Sequence, residues 1–317
     1  MHITTDVCDL IGNTPLLELK NLFGDIPARI LAKMECRNMT SIKDRAVLNM
    51  IRSAMSQGKI VQGTEVVEAS SGNTAIAIAS LGAVLGYATR VFMSELCSVE
   101  RQQVLCAYGA KVVLTPAAEH TKGARERAIA YCKANPEGTF FLNQHGNPDN
   151  GRAHELNTGP EIWEQTGGNL DAIVIGLGTS GSFDGLSRFF KKQNPGIHIV
   201  GFEPAASPVY SGGKQEKHKL IGVGPGFVTD NFKRSRENMD EIILVEDETG
   251  YEYARMIASR EGILVGPTSG ASAWVAEQLA RRPGYEGKTI VCFLYDTGER
   301  YLSAGDLFPA DNVERVS

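Results

Sequence analysis

The sequence has no uninterrupted apolar stretch long enough to span a bilayer, so no segment is expected to cross a membrane as a helix. It has no CxxC pair. Its six cysteines (Cys8, Cys36, Cys97, Cys106, Cys132 and Cys292) are scattered, which points away from a zinc site or a disulfide framework and toward reduced thiols in a cytosol. Long basic runs are missing, and the formal net charge is −5, so the electrostatic footprint of a nucleic-acid binder is absent and a small molecule is the expected partner. The opening residues MHITTDVCDL carry neither a basic n-region nor an apolar h-region, and a cytoplasmic location is expected. No HExxH or similar spacing joins the histidines, so no metal centre is expected. Fixed-period repeats and low-complexity tracts are lacking as well, which sets aside a solenoid or a linker array.

What is present fits an ordinary globular protein. The 317 residues are 42% hydrophobic and 22% charged, enough to bury a sizeable core in two domains or one large unit, and 34 glycines allow many tight strand-to-helix turns. Short β-branched runs alternate with segments of helical period: RILAKME, DRAVLNMIRSAMSQG, TEVVEA, TAIAIASLGAVLG, RVFMS, VERQQVLCAYG, KVVLT and KGARERAIAYCKAN. A second alternating set runs from DAIVIGLG through FDGLSRFFKKQ, HIVGFEP, YEYARMIASREG and SAWVAEQLARR to TIVCFLY. This rhythm predicts an α/β fold with largely parallel sheets. The stretch NQHGNPDNGRAHELNTGPE between the sets, rich in Asn, Gly and Pro, places a domain junction near residue 150.

Several strand-to-helix turns carry chemistry. In DAIVIGLGTSGSFDGL, the residues Gly178, Thr179, Ser180, Gly181 and Ser182 lie where backbone N–H groups and a helix dipole favour an anion such as a phosphate. Gly176, Gly178 and Gly181 also spell GxGxxG, and Glu203 closes the next strand at the interval where a dinucleotide site places its ribose-binding acid, so an NAD-dependent dehydrogenase is one reading of this segment. In EASSGNTAIAIA, Ser70, Ser71, Gly72, Asn73 and Thr74 suit a carboxylate at a helix start, or a plain helix cap. Lys43, in ECRNMTSIKDRAV, opens a helix whose positive dipole end disfavours the ammonium form, which lowers the amine's pKa and favours Schiff-base chemistry. Thr268 precedes a helix in GPTSGAS, where its hydroxyl could meet a heterocyclic nitrogen or cap the helix, and Gly222, Gly224 and Gly226 allow close approach of backbone to a ligand.

Taken together and in order, IGNTPLLEL, SIKDRA, SSGNT, SVERQQVLCAYGAKVVLT, NQHGNP, TGPEIW, GLGTSGS, GVGPGF, EGILVGPTSGAS and DTGERYLS resemble the cysteine synthase family of fold type II pyridoxal 5′-phosphate (PLP) enzymes, which includes the O-acetylserine sulfhydrylases and the catalytic core of cystathionine β-synthase. The resemblance runs nearly end to end. It implies a tryptophan synthase β-like architecture: two α/β domains, each a mostly parallel twisted sheet flanked by helices. The expected division is a smaller, mobile domain at 37–150 and a larger cofactor-binding domain formed by 1–36 and 151–317. It also implies that Lys43 forms the aldimine and that Asn73 meets the cofactor's 3-oxygen. Gly178 to Ser182 form the phosphate cup, and Thr268 faces the pyridine nitrogen. By the same resemblance Ser70, Ser71, Gly72, Thr74 and Gln144 hold the substrate carboxylate, Gly222 lies near its amino group, and the assembly is a homodimer.

One PLP molecule gives Lys43, SSGNT and Thr268 a common role, whereas a hydride-transfer enzyme leaves all three idle. The implied reaction is β-replacement on an activated serine-like amino acid through an aminoacrylate, with cysteine synthesis from O-acetylserine and sulfide as the default. A synthase of another β-substituted alanine, of diaminopropionate or cystathionine type, and a β-eliminating lyase are the variants. Three features depart from the family pattern. The loop before Lys43 is one residue short and lacks its proline, Ala75 and Ser180 stand where glycine is frequent, and Tyr295 replaces a frequent proline.

Overall fold

The structure, a computed structural model, describes residues 3–310. Among the described residues, ten strands form two sheets. The larger contains β1 (Leu16–Glu18), β2 (Arg29–Lys33), β7 (Ala172–Gly176), β8 (His198–Pro204), β9 (Glu241–Val245) and β10 (Thr289–Phe293), in the order β1-β2-β10-β7-β8-β9. Only β1 runs antiparallel to its neighbour. The smaller, all parallel, contains β3 (Glu65–Ala69), β4 (Ala88–Ser94), β5 (Lys111–Thr115) and β6 (Thr139–Phe141), in the order β5-β4-β3-β6. The chain therefore starts in the large sheet, builds the small one, and returns.

The connections are helical: α1 (Lys20–Phe23), α2 (Lys43–Ser56), α3 (Asn73–Leu85), α4 (Val99–Ala107), α5 (His120–Ala134), α6 (Pro148–Ala153), α7 (Gly159–Gln165), α8 (Gly181–Gln193), α9 (Asp230–Arg234), α10 (Asp247–Glu261) and α11 (Pro267–Ala280). The α/β class with mostly parallel sheets is as expected. β3, β7 and β10 are buried at every position, as strands covered by helices on both faces must be. α11 buries 12 of its 14 residues, which explains why its sequence is apolar or small all round. At Gly270 a Cβ would come 2.1 Å from the Gly250 carbonyl, so α10 and α11 can cross this closely only with glycine there.

Beneath the helix that carries Lys43 lies a buried charge cluster. Lys33, fully buried at the end of β2, donates to Glu161 Oε2 at 2.7 Å, to the Thr14 carbonyl at 2.6 Å and to Gln165 Oε1 at 3.0 Å. Arg45 on α2 pairs with Glu35 at 2.7 Å and with both Glu161 oxygens at 2.7 Å. Two cations face two carboxylates, which is the condition under which buried charges are tolerated. Burial opposes ionisation of Glu161, but the two cations together pull it down to about 2, whereas burial pushes Lys33 down despite its carboxylate partners, with a smaller push from the Arg45 charge.

Candidate active site

Parallel strands end in loops at their carboxyl edge, and that edge is where open α/β sheets bind ligands. Here the loops after β7, β3 and β10, with the segment that leads from β2 to α2, converge on one cavity. Its walls are Ile42, Lys43, Asn73, Gly176, Gly178, Thr179, Ser180, Ser182, Ile221, Gly222, Val223, Thr268, Tyr295 and Asp296. Eight of the residues singled out from sequence thus share one space: Lys43, Asn73, Gly178, Thr179, Ser180, Ser182, Gly222 and Thr268. Gly181 opens α8 just behind it, where a Cβ would lie 1.9 Å from the Asn150 side chain. Ser70, Ser71, Gly72, Thr74 and Gln144 are not walls of the cavity but form a group beside it, joined to it through Asn73; Thr74 Oγ1 donates to Gln144 Oε1 at 2.6 Å.

Lys43 is the first residue of α2 and is half-buried. Burial lowers its amine to about 8, partly opposed by the Asp296 carboxylate, so desolvation joins the helix position as a reason for the low pKa. The short loop before it is held by Asp44, whose carboxylate accepts from the Thr40 N–H at 2.6 Å, from the Ser41 N–H at 3.1 Å and from the Thr40 hydroxyl. The Ile42 N–H donates to the Tyr295 carbonyl at 3.0 Å, which sets Lys43 against the end of β10.

The turn between β7 and α8 is shaped for close approach. A Cβ at Gly178 would stand 2.2 Å from the Gly222 carbonyl, so nothing larger than hydrogen fits. Ser180 adopts φ 58, in the left-handed region that glycine occupies without strain, and its hydroxyl donates to Tyr210 Oη at 3.1 Å. Tyr210 in turn donates to the Gly178 carbonyl at 2.7 Å. The N-terminal N–H groups of α8, small side chains and two hydroxyls make this a cradle for a phosphate. Opposite, the Thr268 hydroxyl donates to the Ile221 carbonyl at 2.6 Å, a neutral group facing the cavity. An amine nucleophile, an anion cradle and a neutral hydroxyl around one space fit a phosphate-bearing heterocycle such as PLP.

The dinucleotide reading fails on Glu203. That carboxylate is fully buried and already accepts from the Tyr210 N–H at 2.8 Å and from the Ser211 N–H and hydroxyl at 2.8 and 2.6 Å, so it has no reach toward a ribose. Sequence reasoning also missed parts of the site. Asp296 is buried at the cavity wall and accepts from Asn73 Nδ2 at 2.5 Å, while Arg300 donates to Asn73 Oδ1 at 2.5 Å. Tyr295 forms another wall, and its hydroxyl accepts the Gly176 N–H at 2.8 Å. Asp296 opens DTGERYLS, a segment the sequence marked without assigning it a task, and Tyr295, noted in the sequence only as replacing a frequent proline, immediately precedes it. His145 is half-buried with its ring 5.1 Å from that of Phe227; burial, then Arg125 and Lys43, push it down to about 4.

Comparison with known proteins points to one family. The family profile described as Pyridoxal-phosphate dependent enzyme matches residues 7–296. A cysteine synthase of Staphylococcus aureus is 43% identical over 300 residues, covering 94% of this chain and 95% of that one. Among solved structures, a cysteine synthase from Entamoeba histolytica superposes with a TM-score of 0.93 at 38% identity, covering 100% of this chain and 93% of that one. An O-ureido-L-serine synthase gives a TM-score of 0.93 at 32% identity, covering 100% and 98%.

Proposed function

Because the chain belongs to the pyridoxal-phosphate dependent enzyme family, we propose that Lys43 carries the cofactor in this site and that the substrates are O-acetylserine and sulfide, giving cysteine. The chain is a PLP-dependent enzyme of β-replacement. The observation that carries the assignment of the site is the convergence of Lys43, the Gly178 to Ser182 turn and Thr268 on one cavity.

When bound, PLP supplies an electron sink that makes the substrate's α-hydrogen acidic. The residues divide the remaining work. The turn from Gly178 to Ser182 holds the phosphate with backbone N–H groups and the Thr179 and Ser182 hydroxyls. Asn73 would offer its amide to the 3-oxygen, and Thr268 would meet the ring nitrogen with a neutral hydroxyl, a partner that would suit elimination over transamination. Ser70, Ser71, Gly72, Thr74 and Gln144 receive the substrate's carboxylate, and Gly222 lies near its amine. The Lys43 Nζ takes the α-proton. An amine held at about 8 has a substantial free-base fraction near neutrality, which a general base requires.

The small sheet, β3 to β6, lies within residues 37–150, and on that ground this span is assigned as the smaller, mobile domain against 1–36 and 151–317. A homodimer in the cytoplasm completes the proposal. It is supported by the family resemblance and by six cysteines that are all free thiols; among the described residues no helix is long and apolar enough to cross a membrane.

A spectral titration tests the chemistry. The purified protein is expected to be yellow, to change its visible band with O-acetylserine, and to recover the original band when sulfide is added. Serine, O-phosphoserine and cysteine serve as alternative first substrates, and homocysteine and ammonia as alternative nucleophiles. A protein that stays colourless in excess PLP refutes the assignment, and a response to another pair alone transfers it to that β-substituted alanine.

A further inference from the structure

We propose that Asp296 and Arg300 are a positioning pair that fixes the side-chain amide of Asn73 in one orientation at the cofactor cavity; this rests on the reading of Asn73 as a cofactor-facing residue. The geometry is two-sided. Asp296 Oδ2 accepts from Asn73 Nδ2 at 2.5 Å, and an Arg300 guanidinium N–H donates to Asn73 Oδ1 at 2.5 Å. A guanidinium can only donate and a carboxylate accepts, so a flipped amide would set donor against donor and acceptor against acceptor. In the orientation observed, the amide oxygen is occupied and Nδ2 keeps one hydrogen. Asn73 and Asp296 are both cavity walls, so an acceptor on a ligand there meets a donor and never a carbonyl.

Asp296 is itself held. The Tyr301 hydroxyl donates to the same Oδ2, and the buried Oδ1 has no partner among the described residues. That oxygen lies against Gly266, where a Cβ would come within 2.4 Å of it, so the carboxylate has no room to swing away from Asn73. Tyr301 and Arg300 belong to one 3-10 turn, Gly298–Tyr301. Arg101 caps the arrangement from the other side: its guanidinium carbon lies 5.7 Å from the Tyr301 ring centre, and one N–H contacts the Ser71 carbonyl at 3.4 Å. The pair thus reaches the first residue of α3 from positions 223 and 227 residues further along the sequence.

The test is a double-mutant cycle on PLP binding. PLP affinity of cofactor-stripped protein and the visible band of the reconstituted protein are measured for wild type, D296A, R300Q, N73A and the doubles D296A/N73A and R300Q/N73A. D296A is expected to weaken PLP about tenfold, the scale of one lost hydrogen bond to a charged group, and to move the band. R300Q acts in the same direction, and D296N, which keeps an acceptor oxygen for Asn73, stays within about threefold of wild type. With Asn73 already removed, neither D296A nor R300Q adds more than about twofold. The proposal is overturned if D296A and R300Q leave affinity and band unchanged, or if they cost the same factor with and without Asn73. Should D296A fail to fold, the R300Q arm decides alone. Wild-type protein that takes up no PLP would instead refute the underlying assignment of the site.

Discussion

Replacing Glu161 by glutamine measures how much of the fold depends on the charge cluster beneath Lys43. The carboxylate is displaced from its usual 4.5 to about 2, which at about 1.36 kcal/mol per pH unit corresponds to about 3 kcal/mol of stability near neutrality. Glu161→Gln keeps the volume but leaves Lys33 and Arg45 facing Glu35 alone, and breaking a buried pair in this way costs about 3–5 kcal/mol. With an unfolding entropy of about 2.1 cal/mol/K per residue over the 317 residues, the melting temperature is expected to fall by about 5–7 °C at pH 7. The pH dependence is diagnostic. A carboxylate whose folded pKa is depressed stabilises above its unfolded pKa and loses that contribution as pH falls toward the folded value. The contribution is therefore full above about pH 5.5 and drops to about 1.4 kcal/mol at pH 3. Calorimetric melts of both proteins at pH 7, 5, 4 and 3 should show the gap closing by half or more. Equal melting temperatures at pH 7, or a gap that stays constant to pH 3, would refute the reasoning.

Other outcomes follow from the cavity walls. Lys43→Ala should abolish the covalent retention of PLP that borohydride reduction of the C=N link to a secondary amine gives before denaturing dialysis, and lower turnover by about 10²–10⁴, the usual weight of a general base. In cofactor-free protein, the rate at which Lys43 is acylated should rise with a midpoint at about 8, read by peptide mass spectrometry; a midpoint at the usual 10.5 would remove the case for desolvation. Gly178→Ala places a methyl 2.2 Å from the Gly222 carbonyl, so it should raise the dissociation constant for PLP at least about tenfold by equilibrium dialysis while far-UV circular dichroism stays unchanged. At φ 58, Ser180→Gly should change stability by less than about 1 kcal/mol, because relief of strain offsets the lost bond to Tyr210, whereas Ser180→Val should cost about 2 kcal/mol or more in a denaturant melt.

The sequence was legible where a local pattern decides the structure. Segments such as TEVVEA and TAIAIASLGAVLG became a fully buried strand and a largely buried helix because their apolar content leaves no solvent face to choose. The turn from Gly178 to Ser182 and Lys43 stood out in the sequence because small residues and a lysine lie at strand-to-helix turns, and the structure brings them to one cavity. What stayed hidden depends on distant partners. RILAKME reads as a strand and says nothing of where its lysine goes, yet Lys33 is buried with Glu161, 128 positions on, as its partner. Asp296 reads as part of a polar turn, and only its approach to Asn73 from 223 positions away makes it a wall of the site. β1, β6 and β9 were also unread: two are three-residue strands, and β9 lies at the edge of its sheet with most of its positions only half-buried.

The placement of β2 beside β10 has a consequence for synthesis on the ribosome. Arg29 and Thr289 are register partners in one sheet but 260 residues apart in order of translation (289 − 29). At about 5–20 residues per second, β2 waits roughly 13–50 s for the strand that covers its inner edge. The small sheet has no such delay, since all its strands lie between Glu65 and Phe141. The nascent chain therefore carries an unpaired, apolar strand edge through most of its elongation, and Lys33, the one charge on the inner half of that strand, meets Glu161 about midway through that interval.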